Sequence, residues 1–378
     1  MSEIVRIGPY HPYLLEPELF ELRVEDGVIR DVDVRIGYAH RGIEKVMTTK
    51  TYEQAVFVSS RVCGICPVAH TTCYCETAER LLGIRAPDRA RYIRTAFQEI
   101  NRLQSHFLWL ALLAHALHDH ERFMHIMKER EAVVDLLEFI SGARSHHAMN
   151  VVGGVLRDFT PKITSKIREV MNTLKPLSDY TIKMLETGGP IGSKVEGVGP
   201  LSRSDAIRLG AVGPVLRGSG VKSDVRSDDP YAAYGEVDFE VVAEGDGDVR
   251  ARAMVRARET AESIRIVEQA LENMPEGPIR AEYGEPTVGE ELGRVEAPRG
   301  ELIYYMRSNG TNRPERVKIR TPTYANIYAI TRALTGEKLE NARAIIESID
   351  PCFACTDRVV VVDVKTGRRS RLDACVRG

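Results

Sequence analysis

The sequence predicts a mainly helical α+β fold, on three observations: alternating apolar residues near the N-terminus, three- and four-residue apolar spacing through the middle, and isolated strand-like runs further on. Residues 1–50 read as a β region: "EIVRIG" alternates, and Asp26-Gly27 is a hairpin signal between the two runs of "FELRVEDGVIRDVDVRIGY". From about Thr51 the period becomes helical, in "TCYCETAERLLG", "RARYIRTAFQEINRLQSHFLWLALLAHALHDHERFMHIM" and "EREAVVDLLEFISGARSHHAMNVV". A further run, "ITSKIREVMNTLKPLSDYTIKMLE", ends at Gly188-Gly189-Pro190. Together these predict a central helical bundle with small peripheral sheets. Between Gly189 and Gly247 the Gly, Asp and Ser content predicts ordered loop and a short strand; the helix "DVRARAMVRARETAESIRIVEQALENM" follows and stops at Pro275. "EAPRGELIYYMRS" reads as strand; "IRTPTYANIYAITRAL" follows, then "LENARAIIESI", in which "ENARAIIES" reads as helix, and the tail "VVVVDVKTGRRSRL" reads as β. No internal repeat or low-complexity segment interrupts the chain. Length alone would allow two or three domains, and the simplest division of 1–378 is a single one: β region 1–50, helical core 51–335 with loop and strand insertions, segment 336–358 and tail 359–378.

Composition excludes some classes of function. Of 378 residues 43% are hydrophobic and 28% charged, as in an ordinary globular protein. Fifty-two Lys and Arg against 54 Asp and Glu give no electrostatic case for nucleic acid or for direct binding to an anionic membrane. No stretch approaches the roughly 20 apolar residues of a membrane span, and "MSEIVRIGPYHPYLLEPE" is too charged and proline-rich for a signal peptide. A cytoplasmic protein is expected, with any membrane association mediated by partners.

Seven cysteines in such a chain point to metal or redox ligands rather than disulfides. Cys63 and Cys66 form one C-x-x-C, Cys352 and Cys355 another. Pro67 favours a helix starting beside Cys66, whose dipole favours a thiolate, and His70 falls one turn on. Asp350-Pro351 ends the preceding helix and places Cys352–Cys355 on a turn. Four sulfurs suit zinc, iron–sulfur, or a nickel or iron thiolate centre. Structural zinc is the bland alternative, but zinc pairs usually lie within a few tens of residues and these lie nearly three hundred apart. A local site of Cys63, Cys66, His70, Cys73 and Cys75 is a second alternative. Residues 73 and 75 of a helix point roughly 200° apart, so they are expected to be packed thiols, and Cys375 to have no ligand role. The histidines at 106, 115, 118, 120 and 125 lack consistent i, i+4 carboxylate partners, so they too are not read as a metal site.

"RVCGICPVAH" and "DPCFACTDR", in this order at opposite ends of the chain, resemble the paired signatures of nickel–iron hydrogenase large subunits. The resemblance implies that fold, and one nickel held by four thiolates beside an iron carrying CO and CN ligands. Cys63 and Cys352 would be terminal nickel ligands, Cys66 and Cys355 bridges to iron. "IGPYHPYLLEPELFEL", "GYAHRGIEK", "KTYEQAV", "SGARSHHAMNVVGGVLRD" and "GPVLRGSGVKSDVRSDDPYAAY" resemble the quinone-end core subunit of respiratory complex I over most of residues 5–275. That combination is similar to the energy-converting, membrane-bound hydrogenases; the complex I subunit lacks the cysteines.

The resemblance also implies roles for single residues. Glu16 would pass protons to and from a nickel-bound thiolate. Arg299 would lie over the bimetallic site, and Asp350 would hold it. His70 would hydrogen-bond a bridging thiolate. Glu44 would sit near a structural metal or proton path, with an ion pair to Lys45 or a nearby arginine as its alternative. Arg358 stands where many soluble hydrogenases have a magnesium-ligating histidine, and arginine cannot coordinate a cation, which speaks against magnesium. Residues 359–378 match an extension that a maturation protease removes after nickel insertion, although "VVVVDV" also suits a retained strand. The implied partners are a small iron–sulfur subunit, a ferredoxin-type carrier, membrane ion-translocating subunits, and maturation and nickel-insertion proteins, in a complex peripheral to the cell membrane. Two competitors stay open: a quinone- or sulfur-reducing relative on the same scaffold, and a non-catalytic subunit with structural zinc.

Overall fold

The computed structural model describes residues 2–356, 360–362 and 369–371. Its first sheet is the antiparallel meander β1 (Ser2–Ile7), β2 (Leu19–Glu25) and β3 (Val28–Arg35), with the β2–β3 turn at Asp26-Gly27. Both turn residues have positive φ, 50° and 76°, which Asp and Gly tolerate. Helices α1 (Ile43–Met47), α2 (Tyr52–Ser59) and α3 (Pro67–Leu82) follow, so helix begins somewhat before Thr51. Thr51 caps α2 in a reciprocal box with Gln54.

The long helices α4 (Asp88–Ala116), α5 (His120–Ser141), α6 (Pro161–Leu185) and α11 (Val249–Asn273) pack together as the bundle and share one large apolar core. The helical run predicted across residues 89–127 breaks at Leu117–Asp119, where Asp119 caps α5. The helical pattern expected over "SGARSHHAMNVV" is corrected: α5 stops at Gly142, whose φ of 81° ends the helix. Beyond it lies the two-residue pairing of β4 (Asn150–Val151) with β5 (Gly154–Val155).

The short strand expected between Gly189 and Gly247 is a second correction. That segment forms α7 (Gly192–Val195), α8 (Arg203–Arg208), α9 (Gly213–Arg217) and α10 (Val225–Asp228), with no strand among the described residues. Buried ion pairs anchor it to the bundle alongside apolar residues such as Ile191, Val195, Leu201 and Val215, which join the main core. Arg217 binds Glu259 of α11 and Glu296, and Arg226 binds Asp224 and Glu99 of α4. Each partner is almost wholly out of water, where charges must be paired.

A second antiparallel meander joins β6 (Val288–Ala297), β7 (Gly300–Asn309) and β8 (Pro314–Arg320). Its β6–β7 turn carries Arg299. Helices α12 (Pro322–Leu334) and α13 (Ala342–Ser348) lead to the second cysteine motif, and β9 (Val360–Val362) pairs with β10 (Arg369–Arg371). Packing of α3 against β6 and β7 creates a second apolar cluster, and all four motif cysteines lie in it. None of the described helices is long and apolar enough to cross a membrane.

Candidate metal centre

Folding brings the two C-x-x-C segments together. Cys63 Sγ lies 3.4 Å from Cys352 Sγ, Cys352 Sγ lies 2.8 Å from Cys355 Sγ, and the sulfurs of Cys63, Cys66 and Cys355 are all within 4.8 Å of one another. All four residues are buried. Cys66 is the N-cap of α3 with Pro67 at the first helical position, as the spacing predicts. Cys352–Cys355 sits on a single 3₁₀ turn, Phe353–Cys355. Cys73 and Cys75 are buried away from this nest, and Cys73 Sγ contacts the carbonyls of Gly293 and Leu302 at 3.5 Å. Cys375 lies outside the described residues.

Backbone and side chains hold the motifs in register. Arg41 donates to the carbonyl of Arg61 at 2.6 Å, Val62 at 2.8 Å and Ala354 at 3.0 Å, bracing one motif against the other. Thr323 Oγ1 accepts from the Cys352 amide at 3.1 Å, and Thr321 Oγ1 donates to the Cys355 carbonyl at 2.9 Å. The amides of Ile65 and Cys66 donate to Cys63 Sγ at 3.3 and 3.2 Å.

The thiols share protons unequally. Hydrogen bonds from Cys352, Cys355 and Cys66 hold Cys63 well below the ordinary thiol value. Cys355 is pushed well above it by its bonds to Cys352, Cys63 and Cys66. A bond with Cys355 favours the thiolates of Cys66 and Cys352, but bonding to Cys63, burial and the Cys63 charge outweigh it and keep both high. The four thiols share their protons as one cluster, so a soft dication binding all four sulfurs has to displace protons from it.

The predicted supporting residues fall into two groups. Arg299 Nη2 binds Asp350 Oδ1 at 2.5 Å, Nε binds the Asp350 carbonyl at 2.8 Å, and Nη1 reaches Ser105 Oγ at 3.3 Å. Asp350 adopts a left-handed φ of 57°, which lets its carbonyl and carboxylate face the same guanidinium. Glu16 Oε2 accepts from the Ala354 amide at 2.6 Å, inside the second motif, and burial raises its pKa. His70 Nε2 is 3.9 Å from Cys355 Sγ, while burial pushes its pKa down to about 4. Glu44 stands apart from this group: it pairs with Lys318 at 2.8 Å and accepts from the Ile319 amide at 2.9 Å. Arg358 and the side chains of the tail lie outside the described residues, and so does the position where a maturation protease would cut. Of the five tempting histidines, His106 is buried and bonded to Glu259 at 2.8 Å, whereas 115, 118, 120 and 125 are exposed.

Sequence reasoning missed Arg41, Glu18 and Tyr304. Arg41 sits in the quoted "AHRGIEK", three residues before Glu44, and only its three-dimensional reach reveals the brace. Glu18 is fully buried beside Thr356, and burial lifts its pKa to about 9. Tyr304 bonds His70 Nδ1 at 2.9 Å; its place in an alternating strand gave no chemical signal.

A helical bundle flanked by small antiparallel sheets, with four thiols drawn from distant segments, defines an oxidoreductase subunit of the nickel–iron hydrogenase large-subunit fold class. The family model for the 49 kDa subunit of respiratory-chain NADH dehydrogenase matches residues 119–288 and 282–358, and that for nickel-dependent hydrogenase matches residues 41–149. The carbon monoxide-induced hydrogenase of Rhodospirillum rubrum is 39% identical, over 94% of this chain and 99% of its own length. Membrane-bound hydrogenase subunit alpha of Pyrococcus furiosus is 35% identical, over 97% of this chain and 89% of its own. Among solved structures, a chain of the membrane-bound sulfane sulfur reductase, an archaeal respiratory membrane complex, superposes with a TM-score of 0.89 at 29% identity. It covers 94% of this chain and 98% of its own. The chain belongs to the family that unites the large subunits of energy-converting, membrane-bound hydrogenases with the 49 kDa subunit of complex I.

Proposed function

We propose that this chain is the catalytic subunit of an energy-converting nickel–iron hydrogenase, interconverting dihydrogen with protons and electrons. The observation that carries the proposal is the junction of two C-x-x-C segments, with Cys63 and Cys352 sulfurs 3.4 Å apart. The donor set fits the group: four sulfurs, with no carboxylate among the converging atoms of the described residues, suit nickel and iron rather than magnesium or calcium. Cys63, Cys66, Cys352 and Cys355 would hold it. When bound, a nickel–iron pair supplies heterolytic cleavage of dihydrogen, overall H2 to two protons and two electrons.

The chain's own residues do the rest. Arg299, fixed at three of its nitrogens, is a preorganised cation beside the sulfurs that costs no reorganisation when charge develops. Glu16, tied to Ala354 beside two of the cysteines, is placed to accept a proton from the site and release it outward. Its raised pKa brings it closer to the operating pH, where such transfer is most efficient. Electrons have to leave through a partner. Cys73 and Cys75 are packed separately, so the described residues offer no second four-thiolate set for an iron–sulfur cluster. A small iron–sulfur subunit, a ferredoxin-type carrier and ion-translocating membrane subunits follow from this reading, as does a cytoplasmic position against the membrane.

A second reading, reduction of sulfur or quinone on the same scaffold, has an observation of its own. A cavity of about 290 Å³ lined by Gly64, Ile65, Gln104, Leu108, Arg130 and Arg144 adjoins the first motif, more room than dihydrogen needs. Gas-exchange assays decide between the two. Deuterium–proton exchange by the purified complex supports the hydrogenase; its absence, with turnover of polysulfide or quinone instead, overturns it.

A further inference from the structure

We propose that Tyr304 is a positioning residue that sets the tautomer of His70, so that the Nε2–H of His70 faces Cys355. Tyr304 sits on β7, buried between that strand and α3, and its hydroxyl lies 2.9 Å from His70 Nδ1. Two edge contacts fix the ring: His70 at 5.9 Å between centroids and 73°, and Tyr74 at 6.2 Å and 89°. The opposite nitrogen of the same imidazole, Nε2, is 3.9 Å from Cys355 Sγ. One side chain thus links a tyrosine hydroxyl to a ligand sulfur through two distinct nitrogens.

The donor inventory decides the direction. A neutral imidazole carries one N–H, on either nitrogen. A buried phenol carries its own proton, and among the described residues the Tyr304 hydroxyl has no hydrogen-bonding partner except His70 Nδ1. If Nδ1 held the hydrogen, it would donate to the phenol oxygen, and the phenol proton would be left buried and unpaired, at a cost of roughly 1–3 kcal/mol. If Nδ1 accepts, every group is satisfied: Tyr304 donates to Nδ1, and Nε2–H points at Cys355. The tautomer is therefore imposed from the side away from the sulfur. An N–H aimed at a thiolate draws electron density from it, so Tyr304 would tune the metal centre without touching it.

The tautomer is read directly from imidazole nitrogen and carbon chemical shifts of the full chain labelled at histidine, with His70 assigned by its loss in His70→Gln. The expected result is an Nε2–H pattern for His70 in the native chain and an Nδ1–H or mixed pattern in Tyr304→Phe, which keeps the ring and removes the donor. An Nδ1–H pattern in the native chain overturns the proposal, whether or not Tyr304→Phe folds. So does a Tyr304→Phe chain whose His70 pattern is unchanged. The tuning rests on the nickel–iron reading and has its own measurement. In the purified complex, Tyr304→Phe and His70→Gln should each move the carbonyl and cyanide infrared bands to lower frequency, and Tyr304→Phe should add no further shift to that of His70→Gln. Unmoved bands in a fully loaded variant overturn the tuning. A complex with no nickel and no bands would instead sink the functional reading and leave the tautomer result standing.

Discussion

At the scale of single residues, Arg299 and Glu347 give opposite kinds of test. Arg299 is held by both the carboxylate and the carbonyl of Asp350, a forked recognition that lysine cannot reproduce. Arg299→Lys should keep the nickel content of the purified complex and lower hydrogen oxidation roughly a hundredfold, as losing one preorganised electrostatic contact does. An unchanged rate would remove Arg299 from the mechanism. Glu347 lies in α13, and burial, reinforced by Asp350, raises its pKa to about 8. In the unfolded chain it ionises near the ordinary carboxyl value, so between about pH 4.5 and 8 the folded state binds the extra proton and its stability falls as pH rises. Glu347→Gln has nothing to titrate. The variant should therefore gain on the native chain by up to a few kcal/mol across that window, with the gain complete above about pH 8. Urea midpoints measured along the pH series check this, and a pH-independent difference would contradict it. Sequence alone makes Glu347 an unremarked helix residue; only its burial gives it a thermodynamic role.

At the scale of elements, the turn that carries Arg299 depends on two glycines from different parts of the chain. Gly213, at the start of α9 with φ of 64°, lies so close that an added Cβ would meet the Arg299 carbonyl and the Gly300 Cα at 2.4 Å. Gly300, with φ of 124°, would in turn place a Cβ 2.7 Å from the Gly213 amide nitrogen. Gly213→Ala should cost about 1–3 kcal/mol through overpacking and positive-φ strain. It should also lower activity, since the displaced backbone belongs to Arg299 itself. Thermal unfolding and hydrogen uptake report the two effects, and a stable, fully active Gly213→Ala chain would refute the dependence. The same elements show what sequence could and could not convey. The Asp26-Gly27 hairpin, the start of α3 at Pro67 and the long helices of the bundle were legible, because turn chemistry and apolar period are local signals. The four short helices between Gly189 and Gly247 were not, because pairs such as Arg217 with Glu259 and Arg226 with Glu99 are long-range and charged residues carry no period. Strands β6 and β8 escaped for a related reason: "VGEELGRVEA" and "PERVKIR" are too polar to read as sheet until α3 covers β6 and α1 packs on β8.

At the scale of the whole molecule, the fold joins two ends of the chain at one point. The first motif hangs from α3, the second follows α13, and Arg41 and Glu16 from the N-terminal region bind the second motif through Ala354. Four cysteines and their order were visible in the sequence, and so was the Arg299–Asp350 pair through family likeness. The brace of Arg41, the buried Glu18 and the Tyr304–His70 link became visible only once distant segments met. Because both motifs contribute ligands, losing one from either end should empty the same site: Cys63→Ser and Cys352→Ser are each expected to abolish nickel retention. The most direct measurement is infrared spectroscopy with metal analysis on the purified native complex and on Cys352→Ser. The account predicts about one nickel per chain with carbonyl and cyanide bands in the native complex, and neither in the variant. Zinc alone, or an active complex without those bands, would contradict it.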